Sequence, residues 1–292
     1  MRWIYLNGEL VQQETATVSA LDRGLLYGYG LFETMRSYGG RVFRVEEHYQ
    51  RLRDGAACLA MAVPLSLRDL NEAVDAVLER NKLADAYVRL TLTAGASPVA
   101  GTSGAEGVAG SVILLAREVM EYPRQLYRRG MSALVTSIRR NETSFLSGVK
   151  SLNNLDNVLA REEARRQGAD EAILLNTSGI VAEGSASNVF LVLDGRLVTP
   201  SLSSGCLAGI TRQAVLELAA ESGLEAIETD VERSAFAVAS EAFLTGSVME
   251  VMPLTRLDDR PVGSGRPGPV TGRLHSLYQE MVARETSAAP TT

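Results

Sequence analysis

The chain has 292 residues, of which 46% are hydrophobic and 22% charged, and its formal net charge is −6. This composition is typical of a folded protein and excludes a largely disordered chain. The acidic excess argues against non-specific nucleic-acid binding, and no apolar run is long enough to span a bilayer. Because the N-terminus lacks the apolar core of a signal peptide, we expect a cytoplasmic protein that binds neither nucleic acid nor membrane.

A few residue types are scarce enough to limit the possible chemistry. The two cysteines are far apart in the sequence and form no CxxC pair, which argues against a disulfide framework and a zinc site. With only two histidines, His48 and His275, we expect no metal site. Lys82 and Lys150 are the only lysines, so any reaction that needs a side-chain primary amine has two candidates.

The first part of the chain is predicted to contain two hairpins, two helices and two further strands. Asn7-Gly8 joins strands over 3–7 and 9–12, and Gly39-Gly40 joins strands over 31–38 and 41–44. Apolar residues at helical spacing predict helices over 45–61 and 66–81. The remaining predicted elements of this part are strands over 87–94 and 111–117.

The second part begins after a charged stretch that contains a proline, at residues 119–130, which we predict to be a linker. Beyond this stretch, strands and helices alternate. The predicted strands cover residues 132–138, 171–175, 188–193, 224–231 and 241–244, and the predicted helices cover 152–167, 210–222 and 269–284. The sequence therefore predicts a two-domain α/β (α+β) protein, with a small domain over 1–118 and a larger domain over 131–292.

Lys150 is the first candidate for chemistry. Ser147 and Lys150 match the SxxK pattern of penicillin-binding and β-lactamase-type hydrolases, but the KTG element of those enzymes is missing. The apolar neighbours Phe145, Leu146 and Val149 would lower the pKa of the amine, as Schiff-base chemistry requires. The alternative is an ordinary solvated lysine.

Four other places could bind an anion or carry a charge for function. Glu183 lies among small residues between two predicted strands, where it is either functional or a turn residue facing water. Gly209 opens a predicted helix and Gly246 follows a predicted strand, so each could offer backbone amides to an anion. Arg51 is a further anion ligand or a residue of a solvated helix face.

Taken together and in order, these residues resemble a known family. The motifs are HxxRL at 48–52, KSLNxL at 150–155, EGxxxN at 183–188, GITR at 209–212 and a Gly-Ser turn at 246–247. They resemble the class IV, fold type IV pyridoxal-phosphate enzymes: branched-chain aminotransferases, D-amino-acid aminotransferases and aminodeoxychorismate lyase. The resemblance implies pyridoxal 5'-phosphate as cofactor, a homodimer, and a small α/β domain followed by a larger α/β domain of pseudo-barrel form.

The resemblance also implies roles for individual residues. Lys150 would bond to the cofactor and move the proton at the Cα of the substrate. Glu183 would face the pyridine nitrogen and keep it protonated. The backbone amide of Val248 would bind the substrate carboxylate. The residues that would bind the phosphate are Arg51, Ile210, Thr211 and Ser247.

The substrate pocket resembles that of branched-chain aminotransferases most closely. Tyr87 and Arg89 resemble the pair that meets the acid group of the substrate, and Tyr27 and Phe32 resemble the aromatic wall. Leu155 stands where those enzymes have a pocket tyrosine. If Arg89 instead lay on the outer face of its strand, it would pair with a helix carboxylate such as Asp75 or Glu79.

Other features point to the other subfamilies. Residues 150–153 and 248–253 look more like the lyase and the D-enzyme. However, Val99-Ala100-Gly101 stands where the D-enzyme has an Arg-x-His carboxylate trap. The sequence therefore predicts transamination between a branched-chain-like or other apolar amino acid and a 2-oxo acid such as 2-oxoglutarate or pyruvate. The alternatives are 4-amino-4-deoxychorismate lyase and then D-amino-acid aminotransferase.

Overall fold

The computed structural model describes residues 2–96, 110–119 and 122–287, so Val99-Ala100-Gly101 lies outside the described residues. The chain divides into two units. The first contains the described residues up to 119, the segment Val149–Asn153 and the end of the last helix from Val282. The second contains residues 122–148 and Asn154–Met281. The domain bounds 1–118, 119–130 and 131–292 stay a prediction.

The first unit is built on a six-stranded antiparallel sheet with two long helices packed on one face. The strands are β1 (Trp3–Leu6), β2 (Glu9–Gln12), β3 (Gly30–Tyr38), β4 (Arg41–Val42), β5 (Ala86–Thr93) and β6 (Val112–Glu118), and their order in the sheet is β2-β1-β6-β5-β3-β4. The helices are α1 (Arg23–Tyr27), α2 (Val45–Cys58) and α3 (Leu67–Asn81). Both predicted hairpins and both predicted helices of this region are confirmed, with small shifts at their ends.

Local sequence signals explain why these elements begin and end where they do. Asn7 and Gly8 have φ angles of 51° and 100°, which suit the tight two-residue turn between β1 and β2. Ser66 and Asp69 form a reciprocal capping box at the start of α3. Lys82 ends α3 in the left-handed conformation and is exposed.

The register of β3 and β5 gives the sheet two different faces. Leu31, Met35 and Leu90 belong to the apolar core that α2 and α3 complete. Because side chains alternate along a strand, Phe32 and Arg89 lie on the opposite face. This second face carries several residues that the sequence analysis assigns to the substrate pocket.

The second unit is built on a nine-stranded mixed sheet. Its strands are β7 (Met131–Arg140), β8 (Glu171–Asn176), β9 (Val181–Gly184), β10 (Asn188–Leu193), β11 (Arg196–Pro200), β12 (Ala226–Thr229), β13 (Glu241–Gly246), β14 (Glu250–Leu257) and β15 (Arg260–Pro261). The order is β12-β11-β10-β13-β14-β7-β8-β9, and β15 pairs with β14. The helices that begin in this unit are α4 (Arg124–Arg129), α5 (Leu155–Arg166), α6 (Ile210–Glu221) and α7 (Pro269–Ser287), with 3-10 turns at Leu202–Ser204 and Arg233–Ala237.

Some predicted elements differ from those observed. The helix predicted over 152–167 begins only at Leu155, because Ser151 and Leu152 pair with the start of β3. α4 lies within the stretch predicted to be a linker. β14 was not predicted, because Pro253 disfavours a strand, and the short strands β9 and β11 were not predicted either.

Within the described residues, none of the helices combines the length and apolarity that crossing a bilayer would require. The cytoplasmic location expected from the sequence stays a prediction.

Candidate active site

Lys150 is held in place by backbone pairing to β3. The amide of Phe32 donates to the Lys150 carbonyl at 3.0 Å, and the amide of Leu152 donates to the Gly30 carbonyl at 2.9 Å. These two bonds enclose an antiparallel bridge and place Lys150 opposite Phe32. The direction of the Lys150 side chain is therefore set by a sheet, which is a more rigid support than a loop.

The Phe32 ring brings two cations together on the face of the sheet that α3 does not cover. Lys150 Nζ lies 4.6 Å from the ring centroid, and the guanidinium carbon of Arg89 lies 4.0 Å from it. The negative face of an aromatic ring attracts such groups. Arg89 thus points away from the side of the sheet on which Asp75 and Glu79 reside, and Tyr87 shares its face by alternation.

Arg51 forms a buried ion pair that the sequence analysis did not predict. Its Nε and Nη2 donate to the two oxygens of Glu33 at 2.9 and 2.6 Å. His48 Nδ1 donates to the same carboxylate at 2.7 Å. Burial raises the pKa of Glu33, but the charge of Arg51 and the bonds from His48 and Arg51 outweigh it and lower the pKa to about 2. Burial lowers the pKa of His48 below its ordinary value, so a neutral imidazole donates here.

Tyr27 lies at the end of α1, a short helix that is anchored at its first turn. The buried carboxylate of Asp22 accepts from the amide of Gly24 at 2.7 Å and from the hydroxyls of Thr93 and Ser111 at 2.8 and 2.7 Å. Tyr27 itself is half exposed. Asp22 therefore fixes the position of Tyr27 relative to the end of β5.

In the second unit, Glu183 is a buried carboxylate with a fixed orientation. Its Oε1 accepts from Arg140 Nη2, and its Oε2 accepts from the amide of Leu207 at 2.9 Å. Arg140 also donates to Asn157 at 3.0 Å. The interpretation of Glu183 as a turn residue facing water does not fit its burial.

The loop that follows Glu183 is stabilised by a second buried carboxylate. Glu171 accepts from the hydroxyls of Ser185 and Ser187. At the end of the loop, Asn188 Nδ2 donates to the carbonyl of Leu207 at 2.8 Å. The serines and the asparagine of the EGxxxN motif therefore hold the loop on which Glu183 lies and the chain that leads into α6.

The close approach of Asn188 explains the glycine of the GITR motif. A Cβ atom on Gly209 would lie 2.0 Å from Asn188 Oδ1, so any larger residue there would force the Asn188 side chain to move. Gly209 is the N-cap of α6, and no side chain caps this helix. The amides of Ile210 and Thr211 thus begin a helix whose positive dipole end favours an anion, with the Thr211 hydroxyl beside them.

Ser247 and Val248 lie in a three-residue loop that joins β13 to β14. Gly246 pairs with Glu250 across the base of this hairpin. Ser247 and Val248 are partly buried, whereas Met249 and Glu250 are buried. A tight loop of this kind can direct successive amides toward one anion.

The structure brings some of the predicted residues together and leaves others at the surface. Lys150, Phe32 and Arg89 meet within the first unit. Leu155, at the start of α5, is largely exposed. Four further functional candidates were not predicted from the sequence, namely Glu33, His48, Glu171 and Arg140. A signal existed for two of them, because strand alternation buries Glu33 and helical spacing puts His48 beside Arg51.

The comparisons with known proteins agree with this arrangement. The family described as amino-transferase class IV matches residues 30–257. The chain is 37% identical to a branched-chain-amino-acid aminotransferase of Pseudomonas aeruginosa, over 98% of this chain and 94% of that protein. It is 34% identical to a D-alanine aminotransferase of Listeria monocytogenes, over 96% of each chain.

Solved structures give the same result. A branched-chain amino acid aminotransferase of Escherichia coli matches with a TM-score of 0.93 and 35% identity, covering 99% of this chain and 97% of that one. The branched-chain amino acid aminotransferase of Thermoproteus uzoniensis with norvaline matches with a TM-score of 0.89 and 34% identity, covering 97% and 95%. Another branched-chain amino acid aminotransferase, solved with pyridoxamine 5'-phosphate, matches with a TM-score of 0.91 and 34% identity, covering 99% and 95%. The predicted fold class is confirmed.

The chain belongs to the class IV aminotransferase family. It is therefore a pyridoxal-phosphate-dependent enzyme of transamination, as the sequence analysis predicts, because enzymes of this class use that cofactor. This result replaces the hydrolase alternative raised by Ser147 and Lys150.

The residues present fit the chemistry of pyridoxal phosphate. The first unit supplies an amine at Lys150, and the second supplies the buried carboxylate of Glu183 and the uncapped start of α6. The buried polar atoms of the second unit that have no hydrogen-bond partner among the described residues include Arg140 Nε and Thr245 Oγ1. Such unsatisfied groups are uncommon, and a bound ligand or an ordered water is the usual missing partner.

Proposed function

We propose that this enzyme transfers the amino group of a branched-chain or other apolar amino acid to a 2-oxo acid such as 2-oxoglutarate or pyruvate. The observation that carries the proposal is the meeting of Lys150 and Arg89 at the Phe32 ring. Of the two lysines, both of which the structure describes, Lys82 is exposed and Lys150 is partly buried. Lys150 therefore lies beside a cation, Arg89, and an apolar ring, Phe32. A reactive amine, an acid-binding group and an apolar surface are what such substrates need.

Lys150 is the proposed catalytic residue. Pyridoxal phosphate, when bound, supplies an aldehyde for the amine and a ring that accepts the electrons left at Cα. The Lys150 amine takes the proton from the substrate Cα and then donates it to the carbon that supplied the aldehyde. Glu183 would face the ring nitrogen, and the hydrogen bond from Arg140 orients that carboxylate.

The remaining proposed ligands bind charged groups. The phosphate is bound by Arg51 and by the polar groups of Ile210, Thr211 and Ser247. The Val248 amide binds the carboxylate attached to the reacting carbon. Because Glu33 compensates the charge of Arg51, the pair adds little net charge to the phosphate site. The amides at the start of α6 then contribute a large part of the attraction.

Arg89 and Tyr87 are proposed to bind the second carboxylate of an acceptor such as 2-oxoglutarate. A guanidinium can form a bidentate pair with a carboxylate. Tyr27, Phe32 and Leu155 are proposed to contact apolar donors. Arg89 would thus bind an acidic side chain, and the Phe32 ring beside it would contact an apolar one, in alternate half-reactions.

We also propose that the enzyme is a homodimer. Support comes from large apolar side chains that each unit leaves exposed. In the second unit, Leu155, Val158 and Leu159 form an exposed stripe on α5, and in the first unit Leu25 and Leu26 are exposed on α1. Contiguous exposed apolar groups mark interaction surfaces.

The experiment that tests the proposed substrates is a panel of L- and D-amino donors with 2-oxoglutarate and with pyruvate, run beside a lyase assay. We expect the L-enantiomers of leucine, isoleucine and valine to be the best donors. A preference for D-alanine would favour the alternative that the Listeria relative suggests. Release of pyruvate from aminodeoxychorismate, with no transamination, would favour the lyase.

Arg89→Met gives a sharper prediction about the acceptor. Single-turnover reactions of the pyridoxamine form should slow about ten- to a hundredfold with 2-oxoglutarate, because a charge-assisted hydrogen bond is lost. The reaction with pyruvate, which has no second carboxylate, should change much less. Equal losses with both acceptors would contradict a dicarboxylate site at Arg89.

A further inference from the structure

Glu250 has an unusual backbone conformation directly after the loop that carries Ser247 and Val248. Its φ is +57°, in the left-handed region, and it is buried. A residue with a side chain is uncommon at such a φ, and holding it there costs free energy. A buried, strained residue beside a functional loop persists only where surrounding contacts hold it.

Two helices supply these contacts. His275, on α7, donates from Nε2 to Glu250 Oε2 at 3.1 Å. Its ring stacks on the ring of Tyr127, from α4, with centroids 5.1 Å apart and an interplanar angle of 8°. The Tyr127 hydroxyl donates to the carbonyl of Met249 at 3.0 Å.

These contacts act on a single peptide unit. The Met249 carbonyl belongs to the peptide that joins Met249 to Glu250, and the φ of Glu250 sets the rotation of the same peptide relative to β14. Tyr127 holds this unit from its backbone oxygen, and His275 holds it through the Glu250 side chain. Two separate contacts, one from Tyr127 and one from His275, therefore hold the end of the loop in place.

We infer that Tyr127, His275 and Glu250 are positioning residues for the anion-binding loop at Ser247 and Val248. The inference rests on the proposed function, in which this loop binds the phosphate and the substrate carboxylate. Hydrogen bonds weaken steeply when the donor is misaligned, so two amides that serve one anion need a fixed loop. A loop that is already fixed loses less entropy on binding. These residues therefore act on affinity and leave the chemical step nearly unchanged.

The test compares Tyr127→Phe, His275→Leu and His275→Gln in the holoenzyme. We measure kcat and KM for the amino donor, and binding of 4-methylvalerate, a carboxylate without an amino group, by calorimetry. Tyr127→Phe and His275→Leu should raise KM and the dissociation constant about two- to tenfold, as expected for one lost hydrogen bond, and should change kcat less than twofold. Glutamine retains a donor, so His275→Gln should restore most of the affinity.

The matched control is Thr271→Val, which lies on the same helix but away from the loop. Its hydroxyl donates to Glu241 at 2.7 Å, so the variant also loses one buried hydrogen bond of α7. It should lower the melting temperature without changing affinity. Equal affinity loss in this control, or unchanged affinity in Tyr127→Phe and His275→Leu, would overturn the inference alone. A wild-type protein that neither transaminates nor binds 4-methylvalerate would contradict the proposed function and, with it, the inference.

Discussion

At the scale of single residues, the assignment of the reactive amine is the most direct to test. Lys150→Ala should abolish the borohydride-reducible bond to pyridoxal phosphate and reduce transamination to background, because no other amine is available there. Lys82→Ala is the matched control, since Lys82 is exposed at the end of α3. Peptide mapping after reduction identifies the labelled lysine. A label on Lys82 would contradict the assignment.

The Glu33 carboxylate should make the enzyme sensitive to acid. Because its pKa falls from 4.5 to about 2 on folding, the folded state binds the proton more weakly than the unfolded state. The stabilisation is therefore complete above about pH 4.5 and is lost as the pH falls towards 2. At 1.36 kcal/mol per pH unit, it amounts to about 3 kcal/mol. The lowered pKa of His48 acts in the same direction below its ordinary value of 6.5.

Glu33→Gln should accordingly lower the free energy of unfolding at pH 7 and flatten its decrease between pH 4.5 and 2, measured by urea unfolding at each pH. Glu162→Gln is the control. Its pKa is also about 2, owing first to the bond from Arg165, but its arginine partners are exposed and solvent screens the pairs. We expect that variant to follow the wild type. The same pH dependence in wild type and Glu33→Gln would show that the ion pair is unimportant.

At the scale of elements, the features that could be predicted from the sequence are the turns and helix ends that short-range signals determine. Asn7-Gly8 marks a turn and Ser66 marks the start of a helix because their side chains and backbone act within a few residues. The pairing of Lys150 with β3 and the bond between Arg140 and Glu183 join residues far apart in the chain. No local pattern encodes such contacts.

The same limit applies to the candidate site. Its residues could be named because the family motifs occur in order, whereas their partners depend on packing that the motifs do not contain. Arg51 is an example. The HxxRL motif identifies it as a phosphate ligand, but its bidentate pair with Glu33 follows only from the packing of α2 on β3.

The approach of β10 to the start of α6 gives a prediction for Gly209. Its φ is −72°, so alanine is compatible with the backbone, and the cost of Gly209→Ala is steric. The new methyl would displace Asn188 and break its bond to Leu207. We expect a loss of about 1–3 kcal/mol in the free energy of unfolding, with weaker cofactor binding.

Two further variants test this explanation. In the double variant Gly209→Ala with Asn188→Ala, the clash is absent, so the total loss should be smaller than the sum of the single losses. Gly272→Ala should be neutral or stabilising, because a Cβ on Gly272 meets open space in a helix. Additive losses would mean that the glycine is required for a reason other than Asn188.

At the scale of the whole molecule, the proposed dimer depends on the apolar stripe of α5. Val158 and Leu159 are 56% and 48% exposed and follow Leu155 at helical spacing, so all three lie on one face. Burying one such side chain contributes about 1.5–3 kcal/mol, and a charge there would have to be desolvated. Val158→Asp and Leu159→Asp should therefore each weaken association at least about tenfold, measured by sedimentation velocity over a range of concentrations. Val238→Asp is the control, because Val238 is 78% exposed but lies outside this stripe, and it should leave the dimer intact.

Leu155, on the same stripe, is also proposed to contact the substrate. The variants that dissociate should therefore lose affinity for apolar donors to the same extent as they lose the dimer. Variants that remain dimeric would place the interface elsewhere, and dissociated variants with full activity would show that a single chain completes its own active site.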